Sequence, residues 1–436
     1  MISISEKANS NYLAKIVKLK NLRKHDNADR LQVATIDFQT VITGLDAKDG
    51  DIYCFFPLEC QINAEFLAFT NSFRHSELNA DKKAVGFFGD KGRVRAVKLR
   101  GEKSMGYLVP VTTLDEFFKG KLNYHFSDYV DQEFDTINGM ELLKKYQIRI
   151  KTKGLGGGKQ AIKRISRLVD NQVRLHVSTD NLKKSVHMIN PDDEIVITYK
   201  LHGTSWWVAN LLTKRSLSIW EKTLRFLGVK IRDTEYDYIY GSRKVVKNEY
   251  ETKKHDHFYK VDIWGEIKDE LKEFIPKGFT LYGEAVGYTS QGGAIQGEYD
   301  YGCDSNKNKA FIYRIINTNE DGIVSELSSA DIQEFCERFD LNYVPVLFQG
   351  KAKDFCGYEN CNRDKDVWRR NFMEDLIKKY TEQDCHMCTN KVPAEGIVIR
   401  KDSMFKFEVY KLKSFAFLEK ESKWLDEGKE DMESNN

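Results

Sequence analysis

The stretch Thr198-Tyr199-Lys200-Leu201-His202-Gly203-Thr204-Ser205-Trp206 ends the apolar run Ile195-Val196-Ile197 on a lysine, then turns at once through small, hydrogen-bonding residues. Two readings fit it. Lys200 is either a solvated side chain at a surface turn, or an amine aimed into a pocket as a nucleophile beside backbone NH groups that can grip a phosphate. The stretch alone leaves both open, and the rest of the chain has to choose.

The chain has 436 residues, a length that suggests two or three domains, and is 41% hydrophobic, enough for real cores. Lys+Arg number 68 against 66 Asp+Glu, a formal +2, so any basic surface must be local. No apolar run approaches the ~20 residues of a membrane helix. The opening MISISEKANSNYLAKIV is too polar for a secretory signal. An intracellular protein with no membrane partner is expected. Its eight cysteines would then be free thiols or metal ligands.

Short strand patterns crowd residues 1–145, among them 12–17, 31–36, 40–43, 51–56, 94–99 and 106–109, separated by turn signals such as Asp49-Gly50 and Gly101. They suggest a small OB-type β-barrel. The glycine-rich, basic residues 146–165 read as a linker; they lack the ending of a phosphate-binding loop. Residues 166–420 mix strands (195–199, 205–212, 279–284, 310–316, 395–400, 405–411) with helices (266–274, 330–339, 367–380). Val367, Phe372, Leu376 and Ile377 are the expected buried side of the last helix. Residues 421–436 are a charged tail. The expected class is α+β: the barrel followed by a mixed α/β domain.

Four short motifs follow Lys200: Tyr240-Gly241-Ser242-Arg243, Tyr282-Gly283-Glu284 closing a strand, Phe311-Ile312-Tyr313, and Glu395-Gly396 opening one. A fifth, Lys411-Leu412-Lys413, places two lysines on one strand face. Alone, each has an ordinary explanation: a solvated strand face, a core aromatic, a turn-capping carboxylate. In this order they resemble the covalent nucleotidyltransferases, the superfamily of ATP-dependent DNA and RNA ligases and mRNA capping enzymes, with an ATP-grasp-like ligase domain. His202 departs from that pattern, which usually has Asp there; Tyr199 stands where RNA ligases often have Glu.

The resemblance implies roles. Lys200 would attack the α-phosphate of ATP to form lysyl-AMP. Lys411 and Lys413 would neutralise the growing charge. Glu284 would accept from ribose hydroxyls, Phe311 would stack on adenine, and Arg243 would reach ribose or phosphate. Leu201, His202 and Gly203 would line the nucleotide site. Glu395 would hold Mg2+ or Mn2+ through water.

Only 23 residues follow Lys413, too few for a C-terminal barrel, and the candidate barrel comes first. That order resembles a clade of RNA ligases with an N-terminal OB module, whose members seal RNA 3′-OH and 5′-phosphate ends, often at duplex nicks. RNA, as broken ends or a nicked duplex, is the implied partner, with an RNA/DNA hybrid as a further candidate, and the implied form is a monomer. Residues 25–31, His-Asp-Asn-Ala-Asp-Arg-Leu, resemble the signature of tRNA-binding OB modules. Arg93, Arg95, Lys98 and Arg100 make a locally basic stretch that could follow a phosphate backbone; a solvated edge strand is the plain alternative. The glycine-rich, aromatic residues 291–302 are expected to form a substrate-facing loop.

Cys356, Cys361, Cys385 and Cys388 have a spacing that permits a structural Zn2+ site, with four reduced thiols as the alternative. The rival functions are a DNA ligase, a capping-type guanylyltransferase, and an RNA- or tRNA-binding protein with a dead nucleotidyltransferase domain.

Overall fold

The computed structural model describes residues 1–120, 124–148, 167–247, 259, 261–361, 364–402 and 406–428. The chain falls into two compact units. Among the described residues the first comprises 1–148, 180–188 and 415–428; the second comprises 167–179 and 189–414. Residues 180–188 and the helix Phe415–Asp426 therefore belong with the first unit, not with the second domain and tail in which they were expected. Most of the expected linker, and the end of the tail, lie outside the described residues.

The first unit is strand-rich. Gly106–Pro110, Ile52–Pro57, Ala14–Lys18 and Glu133–Phe134 form one sheet in that order, and Arg23–Lys24, Leu31–Ile36 and Gln39–Gly44 form another. Val97–Leu99 and Glu102–Ser104 make a short hairpin. Among the described residues these strands pair as several small sheets, and no ladder closes into a barrel. His25 is buried: its Nε2 lies 3.1 Å from the Leu99 carbonyl, and its Nδ1 accepts from the Asn27 N–H. It therefore braces a turn.

The second unit is built on two sheets. In one, Glu408–Lys413 (here β8), Gly396–Lys401 (β7), Glu194–Lys200 (β1) and Val346–Lys351 (β6) are consecutive neighbours, antiparallel throughout. In the other, Thr234–Ser242 (β3), Thr204–Lys214 (β2), Phe279–Gly287 (β4) and Asn308–Thr318 (β5) run in that order. β2 is buried along all but its last residue, as a strand covered on both faces must be. Successive side chains alternate between faces. Trp206 and Val208 join the cluster of Ile263, Trp264, Ile267 and Ile332 on one side, while Trp207, Ala209 and Leu211 pack with Tyr282 and Ile316 on the other.

The helices start where side chains can cap them. Asp262 accepts from the Gly265 N–H at the head of Ile263–Leu271, and Ser328 and Asp331 form a capping box for Ser329–Arg338. The third expected helix is Lys365–Leu376, continued by a wider turn at Ile377–Thr381. It buries Trp368, Phe372, Met373 and Leu376, while Val367 and Ile377 are only half-buried. The helix Ile219–Phe226, between β2 and β3, was not anticipated.

Candidate active site

Two turns at neighbouring strand ends create the site. β1 ends on Lys200, whose register partner is Gly396, the first residue of β7. Glu395 precedes that glycine, and Lys413 pairs with the same glycine from the other side. Gly396 has φ +144°, and a Cβ there would lie 2.0 Å from the Leu412 carbonyl oxygen, so only glycine lets the strands meet here. Gly203 is similar: a Cβ would lie 2.2 Å from the Ala285 oxygen, which brings the lysine turn onto β4.

The result is a buried ionic cluster. Glu395 Oε1 lies 2.8 Å from Lys200 Nζ and 3.5 Å from Lys413 Nζ, and its side chain is 1% exposed. His202 Nδ1 is 3.8 Å from Glu395 Oε2. In front of the cluster lies a cavity. Val196, Thr198 and Lys200, Val398 and Arg400, and Val409 and Lys411 line it at every second residue, as one face of one sheet does, and Tyr199 also borders it. Ser205, Glu284, Tyr313 and Arg314 line it from the other sheet, with Leu201 and Arg243 at turns. Ser205 and Glu284 are register partners, and the serine hydroxyl donates to Glu284 Oε2 at 3.0 Å.

Most of the expected nucleotide-site residues thus surround one volume: Lys200, Leu201, Arg243, Glu284 and Lys411 line it, and Glu395, Lys413 and His202 stand behind Lys200. Phe311 is the exception. It is buried and does not line the cavity; Tyr313 does. Phe311 is the register partner of Glu284, and a bulge two residues further along the strand brings Tyr313 in. Tyr282 pairs with Arg314 but Gly283 with Ile312, which leaves Tyr313 as the extra residue and turns it and Arg314 toward the same space. Tyr313 OH is 2.7 Å from His176 Nδ1, and His176 Nε2 is 3.2 Å from the Trp206 carbonyl. Arg314 pairs with Glu326 and lies over the rings of Tyr282 and Phe407. His176, Arg314, Arg400 and Phe407 are cavity residues that the motifs did not point to.

Residues 291–302 do not form an open loop. Tyr299 and Tyr301 are buried behind the lysine turn. The His202 N–H donates to Tyr301 Oη at 2.6 Å, Gln296 Nε2 donates to the Gly203 carbonyl at 2.7 Å, and Tyr299 Oη donates to the Pro393 carbonyl at 2.7 Å. Burial raises both tyrosines far above the usual phenol range, so each keeps its proton. The loop fastens the chain just after Lys200 to the chain just before Glu395.

The structure does not support the expected zinc site on the four cysteines. Among the described residues no three His, Cys, Asp or Glu side chains gather as a ligand group. Cys356 sits by Cys361 and Asp375, and burial pushes its thiol up to about 12. Cys385 and Cys388 hydrogen-bond to each other, which lowers Cys385 to about 7 and raises Cys388. Two separate pairs cannot close one tetrahedron.

Arg93 does not offer itself to RNA. It is buried, bonded to Glu59, to Asp426 and to the Ser422 carbonyl, and Arg95 also pairs with Asp426. Lys98 and Arg100 are exposed.

A strand-end lysine, a carboxylate bridging two ammonium groups and a cavity with further cations suit an anionic, phosphate-bearing ligand. The RNA ligase family model matches residues 193–415, just over half the chain and all of this site but its lining by His176, Val177 and Thr179, and the chain belongs to that family. No curated protein matches it in sequence. In fold it is similar to the RNA ligase of Naegleria gruberi: a mutant with AMP and Mn (15% identity, TM-score 0.56, covering 94% of this chain and 98% of that one), a mutant with ATP and Mn (16%, 0.56, 94% and 98%) and the enzyme with PPi (17%, 0.54, 94% and 99%).

Proposed function

We propose that this RNA ligase is ATP-dependent and works through a lysyl-AMP intermediate. The observation that carries the reading is the placement of the Lys200 amine, where β1 meets the cavity, 2.8 Å from the Glu395 carboxylate. Glu395 is positioned to take the proton that Lys200 must lose before it attacks. The Lys200 nitrogen then bonds to the α-phosphorus of ATP as the bond to pyrophosphate breaks. Lys411 and Lys413, with Arg243, meet the developing charge. Glu284 receives the ribose, and Tyr313, in the place expected of Phe311, stacks on the base. An oxygen of an RNA 5′-phosphate next displaces Lys200 from the AMP phosphorus. Finally an RNA 3′-OH attacks that 5′-phosphate and AMP leaves.

A divalent ion would take Glu395 as its carboxylate, since Mg2+ and Mn2+ sites need as few as one or two protein ligands. When bound it supplies charge neutralisation at the phosphates. The structural relatives with ATP or AMP and Mn support both nucleotide and ion. The first unit serves as the OB-type RNA module, monomeric on a nicked or broken RNA, with Lys98 and Arg100 on the backbone.

The test is intact mass after incubation with ATP and Mg2+, following pyrophosphate treatment to empty a preloaded site. One AMP on the chain and none on Lys200→Ala is the expected result. An adduct with GTP alone would point to guanylyl transfer, and no adduct with either would sink the lysyl-nucleotide mechanism.

A further inference from the structure

The helix Ile219–Phe226 has its faces reversed for a helix packed on its own protein. At 100° per residue, Ile219, Trp220, Leu224, Phe226 and Leu227 occupy one arc, with Glu221, Lys222 and Arg225 opposite. The apolar arc is the outward one: Ile219 is 82% exposed, Trp220 80% and Phe226 89%. Two side chains of the polar arc are held in ion pairs. Arg215 holds Glu221 at 2.5 Å, Arg225 holds Asp233 at 3.0 Å, and the Ser218–Glu221 capping box fixes the first turn. A patch of this kind on an ordered helix marks an interaction surface.

The charge around it selects the partner. Residues 214–232 carry six lysines and arginines against one glutamate, a net +5 in a chain whose total is +2. Exposed Lys214, Lys222 and Lys230 flank the apolar arc. Apolar side chains including a tryptophan, rimmed by cations on a short helix, match a bilayer interface with anionic headgroups, where the rings sit at headgroup depth and the lysines meet the phosphates.

We propose that Ile219–Phe226 and its flanks form a surface anchor that seats this ligase on an anionic lipid membrane. The helix lies in the interface and does not cross it; among the described residues no helix is long and apolar enough to span a bilayer. Binding through one short helix is reversible, so the anchor concentrates the enzyme at a surface.

The test is flotation of the full chain, freed of RNA, with vesicles of phosphatidylcholine alone and with phosphatidylserine added. Flotation with the phosphatidylserine vesicles is expected, with a much weaker response to phosphatidylcholine and a loss in high salt. Trp220→Glu with Phe226→Glu should lower the partition coefficient about a hundredfold, while adenylation at Lys200 continues and certifies the fold. Lys222→Ser with Lys230→Ser, which leaves the apolar arc untouched, should weaken binding only to the anionic vesicles. No flotation with phosphatidylserine vesicles, or flotation unchanged by the glutamates, overturns the proposal. So does a concentration-dependent dimer that the glutamates abolish without any vesicle binding, which would assign the face to a second copy of the chain.

Discussion

Glu395 sets the state of the site, because one buried carboxylate serves two lysines at 2.8 and 3.5 Å. Glu395→Gln would leave Lys200 and Lys413 facing each other without the anion, and would remove the group placed to accept the nucleophile's proton. The adenylation rate should fall by about 10²–10⁴-fold, read as the rate of AMP-adduct formation by mass. Tyr313 and Phe311 separate base binding from packing. Tyr313→Ala should raise the KM for ATP about tenfold, since a stacking partner is worth ~1–3 kcal/mol. Phe311→Leu, at a side chain that does not line the cavity, should leave KM unchanged and only lower Tm. The polar members of this site were legible in the sequence through the resemblance: each motif alone has an ordinary explanation, and only their order along the chain marked them together. The aromatic member was not. Phe311 and Tyr313 share a parity, so alternation cannot choose between them, and the bulge opposite Tyr282 and Gly283 that brings in Arg314 beside Tyr313 leaves no mark in composition.

The elements around the site explain what the motifs cannot. The segment 291–302 reads as a substrate-facing loop from its glycines and aromatics, yet Tyr299 and Tyr301 close it against the lysine turn. Tyr301→Phe would leave the His202 N–H buried without its acceptor, a loss of about 1–3 kcal/mol. A lower Tm together with slower adenylation would be the result; an unchanged adenylation rate would show that the clamp does not position Lys200. The same loop receives the cysteine turn, through the Thr389 N–H donating to Asp300 at 2.8 Å. Because its hydrogen bond with Cys388 lowers Cys385 to about 7, its thiolate fraction rises through neutral pH, while burial raises Cys54 and Cys60. Cys385 should be alkylated by iodoacetamide well before those two at pH 7, and its labelling should fade as pH falls below that value; peptide mass after timed quenching reads both. The helix Ile219–Phe226 did carry a sequence signal, Ser218 followed three residues later by Glu221. Its outward apolar face had none, since periodicity gives the width of an apolar arc and not the side on which the protein lies.

At the scale of the whole molecule, the family's region closes at residue 415 and the chain then returns to the first unit as the helix Phe415–Asp426. Arg93 holds that helix. It bonds Glu59 at 2.9 Å, and Asp426, 333 residues away, at 2.6 Å. A basic stretch in sequence reads as a phosphate-binding surface because the partner of each cation is invisible at that separation; the fold spends Arg93 and Arg95 internally and leaves Lys98 and Arg100 outside. The two kinds of arginine and lysine should therefore behave differently. Arg93→Ala strands a buried Glu59 and should destabilise the protein by about 3–5 kcal/mol, seen as a lower denaturation midpoint. Under conditions where that variant is still folded, its RNA affinity should keep the parent's dependence on salt. Lys98→Ala and Arg100→Ala should leave the midpoint nearly unchanged. Each should instead lower the slope of log K against log salt by about 1, the signature of one lost phosphate contact. A reduced slope for Arg93→Ala would mean that the ion pair opens on RNA; unchanged slopes for the two exposed residues would place the RNA backbone on some other face of the first unit.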